Sequence, residues 1–178
     1  MRATRQPDGS IRLTQVEWVI AEILGAVPDL IESEDPKVHA RFHPRTYADD
    51  VEDAQWRELV GPELRRLFAS RAEIVRGDLL AMVAEDDADS YAFAIPAGHL
   101  SAWEAALVGA SHALYGKFGL APDELREGPT GSGDPLREDA LLRVEVQSAV
   151  LHLLIRVADP SFGRTSVDID EDTDDEPE

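Results

Sequence analysis

The chain has 178 residues, 43% of them hydrophobic, which is enough for one domain with a substantial core. Its 36 Asp and Glu against 17 Lys and Arg give a net charge of -19, a field that repels phosphate backbones and anionic lipid headgroups and disfavours direct nucleic-acid binding. There is no cysteine, which excludes disulfides, thiolate catalysis, thiolate metal sites and a thiol redox switch.

Residues 2–13, RATRQPDGSIRL, put a Pro-Asp-Gly turn between two extended segments and predict a β-hairpin. Thr14 and Glu17 then form a capping box, and Val16, Val19, Ile20, Ile23, Leu24 and Val27 follow at helical spacing, so a first helix is expected from about Gln15. Pro28 should kink or restart it. Residues 33–44 read as a connecting loop, in which Pro36 and Pro44 bracket His39 and His43 and disfavour a full helix through the pair.

Ala48 to Val60 reads as a short helix whose acidic first turn, Asp49, Asp50, Glu52 and Asp53, suits the positive end of its dipole. Gly61-Pro62 is expected to break the chain there. Pro62 then opens a second helix running to about Ala84, with Leu64, Leu67, Phe68, Ile74, Val75, Leu79, Met82 and Val83 as its apolar stripe. The acidic run 85–89 reads as a solvated break, and Tyr91–Ile95 as a short strand that could join the hairpin.

Ala97 to Phe118 carries only two charges, Glu104 and Lys117, and is expected to be the central helix. Leu100, Trp103, Leu107, Ala110, Leu114 and Phe118 form one buried face. Ala102, Ala106, Gly109, Ala113 and Gly116 form a second, small enough for another helix backbone to approach closely. Gly119 sits where a C-cap glycine belongs, residues 121–134 read as a loop, and Pro135 starts a final, largely apolar helix with a polar edge of Arg143, Glu145, Ser148, His152 and Arg156. Residues 160–178, with eight acids in the last eleven positions, are expected to be a disordered acidic tail behind a single helical domain at 1–159. The fold class is mainly α: a compact bundle of about five helices with a small N-terminal β-hairpin.

The first ten residues lack the apolar run of a signal peptide, and Ser101, Glu104, Ser111 and His112 interrupt the most apolar helix, so no membrane span is expected and the protein is assigned to the cytoplasm. Gly128-Pro-Thr-Gly-Ser-Gly133 looks like the front of a phosphate-binding loop, but Asp134 and Pro135 stand where Lys and Ser or Thr belong. Ser111 and His112 point about 100 degrees apart on a helix and cannot act as nucleophile and base. His112 and His152 read as core or boundary histidines. His39 and His43 have the spacing of two metal ligands on one helix turn, with the Asp49–Asp53 carboxylates nearby in sequence. They are the weak candidates for a metal, and neither a metal, a cofactor nor a catalytic residue is assigned.

Arg41-Phe42-His43-Pro44, Tyr47, Asp49-Asp50, Trp56-Arg57 and Gly61-Pro62-Glu63-Leu64 recur in one order with Ala102-Trp103, Leu107, Leu114, Phe118-Gly119-Leu120 and Val146-Gln147-Ser148-Ala149-Val150-Leu151. In these motifs the chain, from Asp35 to Leu154, resembles an uncharacterised bacterial family, a domain of unknown function often encoded beside the ClpS adaptor in actinobacteria, with members described as oxidative-stress regulators. The resemblance implies a mainly helical cytoplasmic protein that acts through protein contacts, with no catalytic residues to carry over. The chain departs from the family pattern at Val108, Gly109 and Ser111, where members place Asn-Asp and Arg. Without a cysteine pair it cannot sense oxidants by forming a disulfide.

The expected function is therefore a non-enzymatic regulator or adaptor whose protein partner has a basic surface. Arg41, Phe42, Tyr47, Asp50, Trp56 and Arg57 mix aromatic anchors with charge and are the candidate contact residues, although the three rings could equally pack on the core. A metal-binding bundle or enzyme using His39, His43 and the Asp49–Asp53 carboxylates is the alternative. A transcription-linked regulator acting through a protein partner is the third.

Overall fold

The computed structural model describes residues 1–85, 90–121, 124, 134–159 and 161. Strand β1 (Arg2–Arg5) turns back through Gly9, at φ +83°, into β2 (Ile11–Glu17), whose Ile11, Leu13 and Val16 are fully buried. The alternation of those three residues prevails over the Thr14/Glu17 capping box, so the first helix starts at Trp18 and not near Gln15. A bulge between Leu13 and Val16 lets both point inward, with Gln15 at φ 53° and its N–H donated to the Glu85 carboxylate at 2.6 Å.

Helix α1 (Trp18–Gly25) passes into α2 (Val27–Ile31), restarting at Pro28 as the sequence predicts. The expected loop at 33–44 is largely a helix, α3 (Pro36–Phe42). Asp35 caps it by accepting from Lys37 N–H at 2.8 Å, and Pro36 occupies the first turn, where its missing N–H costs nothing. The break expected at Gly61-Pro62 is also absent, because α4 (Asp50–Leu80) runs unbroken through both residues. Pro62 and Glu58, the residue whose carbonyl loses its helical donor at a proline four positions on, are both exposed, so the missing bond lies on the solvent side of the helix. The helix ends at Leu80, short of Ala84, because Val83–Ala84 forms a two-residue strand, β3.

β4 (Ser90–Ile95) pairs antiparallel with both β2 and β3, giving a four-stranded sheet in the order β1-β2-β4-β3. A 3-10 turn at Ala97–His99 leads into α5 (Leu100–Phe118), closed by Gly119 in the left-handed region at φ 61°. α6 (Pro135–Ala158) starts at Pro135 behind an Asp134 cap and packs along α5. The sheet lies against both helices: Ile11, Leu13, Val16, Phe93 and Ile95 share one apolar cluster with Trp103, Leu107, Ala110, Val150 and Leu154. Leu114, Leu120, Ala140, Leu141 and Val144 form a second, smaller cluster at the other end of α5. The architecture is thus mainly α, with the hairpin joined by the strand near Tyr91–Ile95.

The small face of α5 receives α2 and α3. A Cβ at Gly109 would stand 3.0 Å from Ile31 Cγ2, and one at Gly116 would stand 2.9 Å from the Lys37 carbonyl oxygen. The residues between 85 and 90, the glycine-rich loop 125–133 and the acidic tail lie outside the described residues, so the expectations placed on them do too.

Candidate functional site

The connection between α3 and α4 is built around one carboxylate. Asp53, 5% exposed, accepts from Thr46 N–H at 2.7 Å and Tyr47 N–H at 3.1 Å through Oδ1, and its Oδ2 lies 2.7 Å from the Arg57 guanidinium one turn on. The Thr46 and Tyr47 amides, followed by the Arg57 and Arg45 charges, hold its carboxyl below the usual carboxylate range. From outside, the Arg45 guanidinium donates to the carbonyls of Tyr47 (2.8 Å) and Ala48 and to the Asp50 carboxylate (2.6 Å). Asp49 caps α4, accepting from Val51 N–H at 2.9 Å and Glu52 N–H at 3.0 Å. These bonds hold Tyr47 in place with its side chain 42% exposed.

The six candidate contact residues therefore separate into two groups. Tyr47, Asp50 and Arg57 belong to this network and are exposed, and Arg41 is exposed on the last turn of α3. Phe42 and Trp56 are half-buried, and Phe42 packs its ring 4.7 Å from Phe68. No apolar residue from Val51 to Phe68 belongs to either apolar cluster, so the first half of α4 extends beyond the core, with Val51 and Leu59 65% and 79% exposed.

His39 and His43 lie with ring centroids 4.4 Å apart. Burial, then the charges of His39, Arg65 and Arg57, push the His43 imidazole below its ordinary pKa, and the two guanidinium groups disfavour a bound metal ion. Among the described residues no three His, Cys, Asp or Glu side chains come together as a metal site. The pair lines a groove of about 420 Å³ with Ser33, Arg65 and Phe68.

On the far side of the Phe42–Phe68 pair, an open groove of about 440 Å³ runs between Val108, His112 and Glu104 of α5 and Leu151 and Ile155 of α6. Glu104 and His112 are eight residues apart, about 12 Å along the helix, and do not converge. Between α5 and α6 the buried Gln147 carbonyl oxygen lies 2.9 Å from Ser111 Oγ, and its amide Nε2 has no hydrogen-bond partner among the described residues. His112, exposed on one side, is partly covered where it lines the groove beside Leu151 and Ile155.

Sequence reasoning missed the buried group that fastens α4 to α5. Asp78 accepts from Trp103 Nε1 at 2.8 Å and lies 2.9 Å from His99 Nδ1. Its partners are 25 and 21 residues away, beyond any short-range pattern. No helix among the described residues is long and apolar enough to cross a membrane.

A family model described as a domain of unknown function, DUF2017, matches residues 4–158. No curated protein and no solved structure matches the chain.

Proposed function

The chain belongs to the family of the domain of unknown function DUF2017, and from that premise we propose that it is a non-enzymatic cytoplasmic regulator or adaptor acting through protein–protein contacts. The observation that supports this reading is the overhang of α4. Its first turns stand outside both apolar clusters and present Asp50 and Val51 beside Tyr47, which lies on the preceding connection fastened by Asp53 and Arg45. A fixed aromatic ring beside carboxylates is the type of surface that anchors a partner. The exposed first turn of α4, Asp50 and Glu52 behind the Asp49 cap, favours a basic partner surface. The gene neighbourhood implied by the resemblance, beside the ClpS adaptor, belongs to the same proposal, as does a transcription-linked role through a protein partner.

Affinity capture from lysate with wild type and with Tyr47→Ala/Asp50→Lys tests the surface, since both residues are exposed and the variant should fold. Loss of specific proteins from the variant's captured set is expected. Identical captured sets would remove the assignment.

A further inference from the structure

The groove beside the histidine pair is lined by donors that the fold leaves without partners. His43 is only 7% exposed, yet its imidazole makes no hydrogen bond among the described residues. Gln147 Nε2 is the one fully enclosed side-chain atom there that lacks a partner, so the His43 ring nitrogens open into the groove that the residue lines. Arg65, across the groove on α4, makes neither a hydrogen bond nor an ion pair with any described residue. Its Nη1 lies back along the helix, 3.8 Å from where a Cβ on Gly61 would stand, and its charge reaches the His43 ring together with that of His39. Buried polar groups are ordinarily bonded, and a set of donors left open around one groove points to a ligand that supplies the acceptors.

We infer that this groove binds a small aromatic carboxylate, with its oxygens on Arg65 and the His39 and His43 ring N–H groups and its ring on the Phe42–Phe68 pair. The volume, about 420 Å³, suits a small molecule. Phe42 and Phe68, half-buried with ring centroids 4.7 Å apart, form an apolar floor continued by Ile31 and Ala69. A guanidinium takes a carboxylate through two parallel N–H groups, and a neutral imidazole still keeps one N–H to donate, so the site does not depend on charged histidines. Two acids also border the groove, Glu32, which Arg76 holds at 2.7 Å, and the exposed Glu34. They favour an occupant with a single negative charge over a dianion such as phosphate. The same guanidinium that disfavours a metal ion between the histidines thus favours an anion there.

Titrating the full chain with benzoate at constant ionic strength should shift the NMR signals of the His39 and His43 rings, with a Kd of about 1 mM or below, and leave those of His152 in place. Benzylamine, the same ring with the opposite charge, should bind at least about tenfold more weakly, and so should inorganic phosphate. Arg65→Gln should weaken benzoate binding about tenfold. Arg66→Gln, one position on and paired with Glu63 at 2.7 Å, should leave it unchanged. Both arginines are exposed, and circular dichroism checks that each variant is folded. Unmoved His39 and His43 signals, benzylamine or phosphate binding as tightly as benzoate, or an Arg65→Gln chain that binds as wild type does would each overturn the inference.

Discussion

Trp103 Nε1 donates to Asp78 Oδ2 at 2.8 Å, joining the last turns of α4 to the first turns of α5 in a buried contact. Asp78→Ala leaves the fully buried indole N–H without an acceptor and is expected to cost about 1–3 kcal/mol. Asp78→Asn keeps one acceptor oxygen and should cost less. Urea unfolding followed by circular dichroism measures both, and equal losses would show that the hydrogen bond is not what Asp78 contributes.

Glycine to alanine should have opposite signs at two helical positions. At Gly116 the new Cβ meets the Lys37 carbonyl oxygen at 2.9 Å, and a backbone atom cannot swing aside as a side-chain tip can. A loss of about 1–3 kcal/mol is expected there. At Gly77 nothing lies within 4 Å, so alanine should gain up to about 1 kcal/mol by helix propensity. Thermal melts make the comparison, and a stabilising Gly116→Ala would contradict the close packing of α3 on α5.

Asp53→Ala should release the connection between α3 and α4 while leaving the core intact. Its carboxylate alone accepts from both the Thr46 and Tyr47 amides. Hydrogen exchange at those two amides should speed up about tenfold or more, with the amides of α5 unchanged. Unchanged protection at Thr46 and Tyr47 would mean that Arg45 suffices to hold the segment.

Stability should fall as the pH drops from 7 toward 5. The His43 imidazole titrates below its ordinary value of 6.5 in the folded chain, through burial and then the charges of His39, Arg65 and Arg57. Between the two pKa values the unfolded chain binds the extra proton, so this contribution is complete above the unfolded pKa and is lost below it. His112, lowered by burial and by Arg41, acts in the same direction. His43→Gln should flatten the difference in urea midpoint between pH 7.5 and about 5.5. A difference as large as that of wild type would assign the effect to other groups.

The central helix was legible because near-absence of charge and two interleaved periodicities both pointed inward, and the structure covers both faces, with Trp103 and Leu107 in the core and Gly109 and Gly116 under α2 and α3. α3 was missed although its signal is local: Asp35-Pro36 is an N-cap followed by a first-turn proline, and reading the prolines as brackets hid it. Pro62 and the Thr14/Glu17 box misled for the opposite reason, since each is a real local preference that the wider packing overrides. The candidate surface was legible only in outline. Composition marks Phe42, Tyr47 and Trp56 alike as aromatic, and their unequal exposure depends on neighbours far along the chain.

Arg5 donates to the Ala158 carbonyl at 2.8 Å, so the first strand is seamed to the last turn of α6. During synthesis, α5 emerges from the ribosome well before the helix that shields its Leu107 and Leu114 side. A nascent chain stopped before residue 135 would therefore present that side to chaperones until α6 is translated.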